Sequence, residues 1–103
     1  MRLVFDDRAL ADLEHIFDWI AQDSPPTARA VIDRVFSSIE HLAAFPQMGR
    51  PGRDEGTREW VVPRLPSIVV YEVDPEREQL LVIAVFHGAQ DREGAASQPR
   101  SPG

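Results

Sequence analysis

The spacing of apolar residues changes near Gly56, about halfway along this chain of 103 residues. Before that point, apolar side chains recur at steps of three and four residues, which places them on one face of a helix. After it, short runs rich in β-branched and aromatic residues alternate with turn residues, as is typical of strands. Helices followed by consecutive strands predict an α+β domain.

The first half of the chain begins with a predicted strand and helix. Residues 2–5 read as a short strand, and Asp6 or Asp7 can cap the helix that follows by accepting from its first amide groups. Five apolar residues form the stripe of this helix: Leu10, Leu13, Ile16, Phe17 and Ile20.

A second helix is predicted directly after the first. The proline pair at 25–26 ends the first helix, because proline cannot donate to the helical hydrogen-bond ladder. Ser24 before the prolines is suited to cap a second helix, which extends to about Phe45. The short connection predicts an antiparallel helix hairpin.

The second half predicts a sheet of three or four strands. Residues 57–62, 67–73 and 80–87 form three strand-like runs with short links, so consecutive strands should be antiparallel. The strand at 2–5 is expected to join the same sheet, with the helix hairpin on one face. The run LLVIAVF at 80–86 is apolar on both faces and predicts a strand covered on both sides. Since the helices cover one face, we expect a partner on the other.

Length and composition bound the organisation of the chain. One domain is predicted over residues 1–88, followed by a flexible tail over 89–103, which lacks periodicity. The absence of cysteine suits a reducing compartment. No signal-like segment or membrane-spanning run is visible, so the sequence predicts a cytoplasmic protein with no membrane association.

The charge balance limits the partners that the whole surface can attract. The formal net charge is −6, the sequence pI is ≈ 4.9, and every basic residue is arginine. This balance argues against a protein that binds nucleic acid over its whole surface, because that requires a basic face. Any contact with a polyanion must therefore be local.

Three arginines cluster in the stretch FPQMGRPGRDEGTREW, at Arg50, Arg53 and Arg58. In one interpretation they pair with neighbouring acidic residues or bond loop carbonyls, which would give them a structural role. In the other, the glycine- and proline-rich backbone holds them beside the sheet edge, where they bind phosphates or acidic side chains. Their position in a long connection favours a functional loop.

One histidine and two tryptophans complete the candidate binding residues. His87 ends the last strand, where antiparallel order could bring it near Arg58 as a general acid or a hydrogen-bond donor; bonding to the backbone is the alternative. Trp19 lies on the flank of the first helix and is a candidate partner contact. Trp60 is expected to share a strand face with Arg58 and Val62.

No cofactor or metal motif is present in the sequence. The three histidines lack the spacing of an HExxH zinc site, and the glycines of GRPGRDEG follow a helix instead of preceding one. Neither a Walker lysine nor a G-x-S-x-G elbow occurs. We therefore predict no metal and no cofactor.

Three segments of the sequence together resemble one known family. The helix hairpin ADLEHIFDWIAQDSPPTARA, the loop FPQMGRPGRDEGTRE and the ending VIAVFHGAQDR together are similar to the RelE/ParE superfamily of toxins from bacterial type II toxin–antitoxin systems. The resemblance implies a cytoplasmic toxin neutralised by a co-expressed antitoxin. That antitoxin would have a ribbon-helix-helix half and a flexible segment, and it would make the contacts to operator DNA.

The resemblance implies two alternative targets. ParE-like members poison DNA gyrase without hydrolytic chemistry of their own, whereas RelE-like members are endoribonucleases that cut messenger RNA in the ribosome. By this likeness Arg58 and His87 would be catalytic in a ribonuclease, with Arg50 assisting and Glu55 or Glu59 as base. The absence of lysine and the acidic pI favour a ParE-like toxin with a ParD-like antitoxin. A non-toxic module that only binds antitoxin is a third hypothesis.

Overall fold

The computed structural model describes residues 1–88. The tail predicted over 89–103 lies outside the described residues. The elements in chain order are β1 Arg2–Phe5, α1 Asp7–Ala21, α2 Pro25–Ala44, β2 Arg50–Pro51, β3 Arg58–Val61, β4 Ser67–Asp74 and β5 Gln79–His87. Within the described part of the chain, no helix is both long and apolar enough to cross a membrane.

Both helices begin at the predicted caps. The Asp6 carboxylate accepts from the backbone N–H of Arg8 at 3.1 Å, and the Ser24 hydroxyl accepts from that of Thr27 at 3.3 Å. Each bond satisfies an amide group that the first turn of a helix leaves without a partner. The predicted helix hairpin is therefore confirmed.

The buried face of α1 differs slightly from the predicted stripe. Ala9, Leu13 and Ile16 are buried, whereas Leu10 is 49% exposed. The stripe is centred on the residues at steps of three and four from Ala9, and Leu10 lies beside it. Leu10 therefore contributes apolar surface outside the core.

The sheet has the strand order β1-β5-β4-β3-β2, in which β1 is parallel to β5 and every other pair is antiparallel. This confirms the predicted α+β fold with its N-terminal strand and helix hairpin. The fifth strand, β2, is an addition to the three or four expected. It consists of two residues of the arginine loop, and Arg50 pairs with Glu59 of β3.

The two faces of the sheet differ in cover. On β4 the residues Ser67, Val69 and Tyr71 are fully buried on the side that faces the helices, while Ile68 and Val70 between them remain half-buried on the other side. This alternation follows from the period of two along a strand. The side of β4 that carries Ile68 and Val70 is called the open face below.

Candidate recognition site: the arginine loop and the open sheet face

The arginine loop is anchored to the sheet by Tyr71. Its hydroxyl donates to the Pro46 carbonyl at 2.8 Å and accepts from the Gly49 backbone N–H at 2.9 Å. A Cβ at position 49 would collide with the Tyr71 hydroxyl and approach the Glu59 carbonyl oxygen within 2.9 Å, so the close approach requires glycine. Burial raises the pKa of Tyr71 above its ordinary value, against the lowering effects of the Gly49 hydrogen bond and the Arg58 charge.

Arg58 fixes the same loop from β3. Its Nη1 donates to the Gly49 carbonyl at 2.7 Å, and its Nη2 donates to the Gln47 side-chain oxygen at 2.5 Å. The guanidinium is part-buried, and two of its donors are committed to the loop. Arg58 therefore has the structural role that the first interpretation of the arginine cluster gave it.

The other two arginines lie near Glu59 on the open face. Arg50 forms an ion pair with Glu59 at 3.7 Å, and the other carboxylate oxygen of Glu59 accepts from the Arg53 backbone N–H at 3.1 Å. Glu59 thus binds the loop at two points, Arg50 and Arg53, which occupies both of its carboxylate oxygens. The Arg53 side chain lines a groove on the open face.

This groove has a volume of ≈ 430 Å³ and combines an apolar floor with charged walls. Its floor is formed by side chains of β4 and β5: Ile68, Val70, Ile83, Ala84 and Phe86. Two arginines and two carboxylates stand around it, at Arg8, Arg53, Asp54 and Glu59. An apolar floor with a mixed-charge rim is the composition of a protein-binding surface.

One wall of the groove joins α1 to β5. The Arg8 guanidinium lies 5.3 Å from the ring centroid of Phe86 and 3.3 Å from the Asp12 carboxylate. The same carboxylate oxygen accepts from the Val85 backbone N–H at 2.9 Å. Because β1 pairs with β5 only as far as Val82, Asp12 supplies an acceptor to the edge of β5 that β1 leaves unpaired.

His87 lies in the core and not beside Arg58. It is 6% exposed, and its Nδ1 is 2.8 Å from the hydroxyl of fully buried Ser67. His87 pairs with Ser67 on β4, whereas Arg58 pairs with Tyr71, four residues further along that strand. Four residues span about 13 Å of strand, so the expectation that His87 approaches Arg58 is wrong.

The two tryptophans lie on the helix side of the molecule. Trp19 is 40% exposed on α1, as expected of a partner contact, while Trp60 is half-buried and packs against the core. Trp60 pairs with Val69 and faces the helices on the same side as Arg58, as the sequence predicted. Neither tryptophan lines the open-face groove.

The sequence predicted an apolar face of β5 left uncovered by the helices, which forms part of the groove floor, but it did not identify the β4 part of the floor or the α1 wall. The alternation of β4 could have indicated Ile68 and Val70, because period two assigns them to the uncovered side. The Arg8–Phe86 contact depends on how α1 crosses β5, which no local spacing encodes. Among residues 1–88, no group of three or more histidine, cysteine or acidic side chains is placed to hold a metal ion.

Comparison with solved structures defines the class of the fold. A chain of the chromosomal ParDE TA system from P. aeruginosa superposes with a TM-score of 0.73 at 22% identity, covering 84% of this chain and 95% of that one. The isolated E. coli RelE toxin matches with a TM-score of 0.63 at 18% identity, covering 89% of this chain and 97% of that one. The fold is that of the RelE/ParE superfamily of toxins.

Sequence comparison gives the family. Residues 3–92 match the family described as the ParE toxin of type II toxin–antitoxin system, parDE. A relative from Sinorhizobium fredii, named "Putative toxin Y4kP", is 36% identical over 83 residues, which cover 81% of this chain and 83% of the relative. The chain belongs to the ParE toxin family of type II toxin–antitoxin systems.

Proposed function

We propose that this ParE-family toxin acts in the cytoplasm, arrests growth by binding to and poisoning DNA gyrase, and is neutralised by a ParD-like ribbon-helix-helix antitoxin. The observation that carries the choice of target is the separation of Arg58 from His87. The ribonuclease alternative needs both side chains at one phosphate, yet their pairing partners on β4, Tyr71 for Arg58 and Ser67 for His87, are four residues apart. Inhibition of gyrase through binding does not require Arg58 and His87 to lie close together.

The hydrogen bonds and burial of Arg58 and His87 also favour gyrase binding over the ribonuclease alternative. Arg58 is committed to the Gly49 carbonyl and to Gln47, and His87 is enclosed in the core beside Ser67. A general acid must come within hydrogen-bond reach of the reacting atom, which a side chain only 6% exposed does poorly. The net charge of −6 also opposes docking on ribosomal RNA.

The antitoxin segment is proposed to occupy the open-face groove. The half-buried floor at Ile68, Val70 and Phe86 offers apolar contacts, and Arg8 with Arg53 offers donors to acidic side chains. A segment that folds on binding can bury such a floor along its length. Operator DNA would then be reached only through the antitoxin, since the toxin itself is acidic.

A paired assay tests the target. Purified toxin is added to gyrase with relaxed plasmid and, separately, to a translating extract with a labelled messenger. We expect loss of supercoiling and an intact messenger. Normal supercoiling in the presence of the toxin would reject gyrase as the target. Cleavage of the messenger that is lost in Arg58→Ala would establish the ribonuclease alternative. Because Arg58 also anchors the loop, the Arg58→Ala variant requires a melting curve as a check of folding.

A separate experiment tests whether the chain is toxic. Expression of the chain without its antitoxin should arrest growth and induce a DNA-damage response. Normal growth with the folded chain present would reject the toxin proposal and leave the non-toxic antitoxin-binding module. Arg29→Gln, which replaces an exposed arginine of α2 outside the open-face groove, is the matched surface variant and should arrest growth as the unchanged chain does.

A further inference from the structure

A second cleft lies on the helix side of the molecule, between α2 and the turn that joins β3 to β4. Its volume is ≈ 480 Å³, and seven residues line it: Arg34, Ser37, Ser38, His41, Trp60, Pro63 and Arg64. The four residues from α2 recur at steps of three and four, so they share one face of the helix. No residue of the open-face groove belongs to this cleft.

The charge of the cleft is unusual for this chain. Among residues 1–88 no carboxylate lines it, although the sequence contains 17 acidic residues. Within the same described residues, neither Arg34 nor Arg64 has an ion pair or a hydrogen bond to its guanidinium. The open-face groove differs, since two carboxylates balance its two arginines.

The backbone conformation of Arg64 also favours a functional role for its side chain. Leu65 donates its N–H to the Val62 carbonyl at 3.2 Å, which closes a turn with Pro63 and Arg64 at its centre. Arg64 has φ 68°, the left-handed geometry that glycine adopts without cost at this position of a type II turn. A non-glycine residue held at a positive φ is strained, and such strain is concentrated at functional sites; here the strained residue is one of the two arginines that line the cleft.

We propose that this cleft binds a protein segment that presents a carboxylate beside an apolar side chain. The two guanidinium groups provide planar forks for the carboxylate, and the serine hydroxyls can donate to its remaining lone pairs. Trp60 and Pro63 provide the apolar contact, and tryptophan with arginine is the composition of interface hot spots. Exposed Phe45, whose ring lies 5.0 Å from that of His41, extends the surface.

A peptide fits this cleft better than nucleic acid or a free anion. A nucleic-acid backbone is held by many phosphate contacts on a basic face, and here two arginines stand on a protein of net charge −6. A small free ligand is normally enclosed in a pocket, whereas this cleft is open along the surface. The proposal does not depend on gyrase as the target.

Fluorescence anisotropy with defined probes tests the proposal on the full-length chain. The probe is a short fluorescein-labelled peptide carrying Glu-Leu-Glu, and its matched control carries Gln-Leu-Gln. We expect the glutamate peptide to bind at least about tenfold more tightly, since charge-assisted bonds are lost with glutamine. We also expect a loss of about tenfold or more in an Arg34→Gln/Arg64→Gln variant, with no change in Arg29→Gln, which replaces an exposed arginine of α2 outside both the cleft and the open-face groove.

Arg64→Gly separates recognition from folding. Glycine removes the cation and relieves the positive φ, so the melting temperature should hold or rise while peptide affinity falls. Equal binding of the two peptides, equal binding by the double variant, or no binding of either peptide would overturn the proposal. Binding of a single-stranded oligonucleotide or of inorganic phosphate without the glutamate peptide would overturn it in favour of a phosphate site.

Discussion

At the scale of single residues, Tyr71 links the arginine loop to the sheet through two hydrogen bonds. It is the chain's only tyrosine, it is fully buried, and its hydroxyl both donates to the loop and accepts from it. A buried N–H that loses its acceptor costs more than the bond itself contributes, because water cannot replace the partner. The Tyr71 hydroxyl therefore anchors the start of the arginine loop to β4, and Arg58 and Glu59 hold it from β3.

Tyr71→Phe should lower the free energy of unfolding by about 1–3 kcal/mol, because the Gly49 N–H and the Pro46 carbonyl lose their partner. Urea unfolding followed by circular dichroism measures the change. Ser37→Ala, which removes an exposed hydroxyl on α2, is the control and should change stability by less than about 0.5 kcal/mol. Equal effects of the two variants would show that Tyr71 does not hold the loop.

Stability should also fall at alkaline pH through Tyr71. Its folded pKa is raised by burial, so the unfolded chain releases the phenolic proton first, near pH 10. Below that pH both states keep the proton and the contribution is constant; above it the unfolded state is favoured progressively until the folded pKa is passed. Urea unfolding across this range should show the decline, and Tyr71→Phe should weaken it. Absorbance of tyrosinate reports Tyr71 alone, and titration at or below the ordinary value would contradict the prediction.

At the scale of elements, Asp12 connects the first helix to the sheet. Its carboxylate accepts from Val85 in β5 and lies within ion-pair distance of Arg8 one turn earlier on α1. An unpaired strand edge is a template for pairing with other chains. Asp12 occupies that edge from within the chain, next to the groove proposed for the antitoxin.

Asp12→Ala should cost about 1.5–3 kcal/mol of stability, since it removes a hydrogen bond to a charged acceptor. Hydrogen exchange of the Val85 amide, followed by NMR, should become faster by more than the global loss of stability predicts. Asp18→Ala, on the exposed face of the same helix, is the matched control and should stay within about 0.5 kcal/mol. Unchanged Val85 exchange in Asp12→Ala would exclude Asp12 as its protecting partner.

The elements were predictable from the sequence where the signal is local. Caps at Asp6 and Ser24 and the period of each helix are written within a few neighbouring residues, and both were found. The strand β2 has two residues, too few to show an alternating pattern. The Tyr71 anchor and the burial of His87 depend on strand register, which joins residues 20 or more positions apart. The spacing of neighbouring residues does not predict contacts between positions so far apart in the chain. Arg58 was singled out from the sequence as a candidate, but its bonds to the loop followed only from the structure.

At the scale of the whole molecule, the two candidate surfaces lie on opposite sides of the sheet. The open-face groove is apolar with balanced charges, while the cleft beside α2 is cationic. Strand alternation enforces this division, because Ile68 and Val70 point away from the helices, and Trp60 points towards them. Two proteins could therefore contact the toxin without competing for the same residues.

The separation of the surfaces leads to a prediction about the antitoxin. Ile68→Gln places a polar side chain in the groove floor without changing the charge, so it should weaken antitoxin binding at least about tenfold, as expected of a central apolar contact. Calorimetry with the cognate antitoxin measures the affinity, and a melting curve of the isolated chain confirms folding.

Arg34→Gln is the matched control, because it neutralises the cleft on the other side of the sheet and leaves the groove intact. It should leave antitoxin affinity unchanged. If instead Ile68→Gln binds normally and Arg34→Gln binds weakly, the antitoxin occupies the cationic cleft, and the groove is left for the target. The two variants thus assign each surface to its partner by opposite losses, and a melting curve of each variant separates a lost contact from a loss of folding.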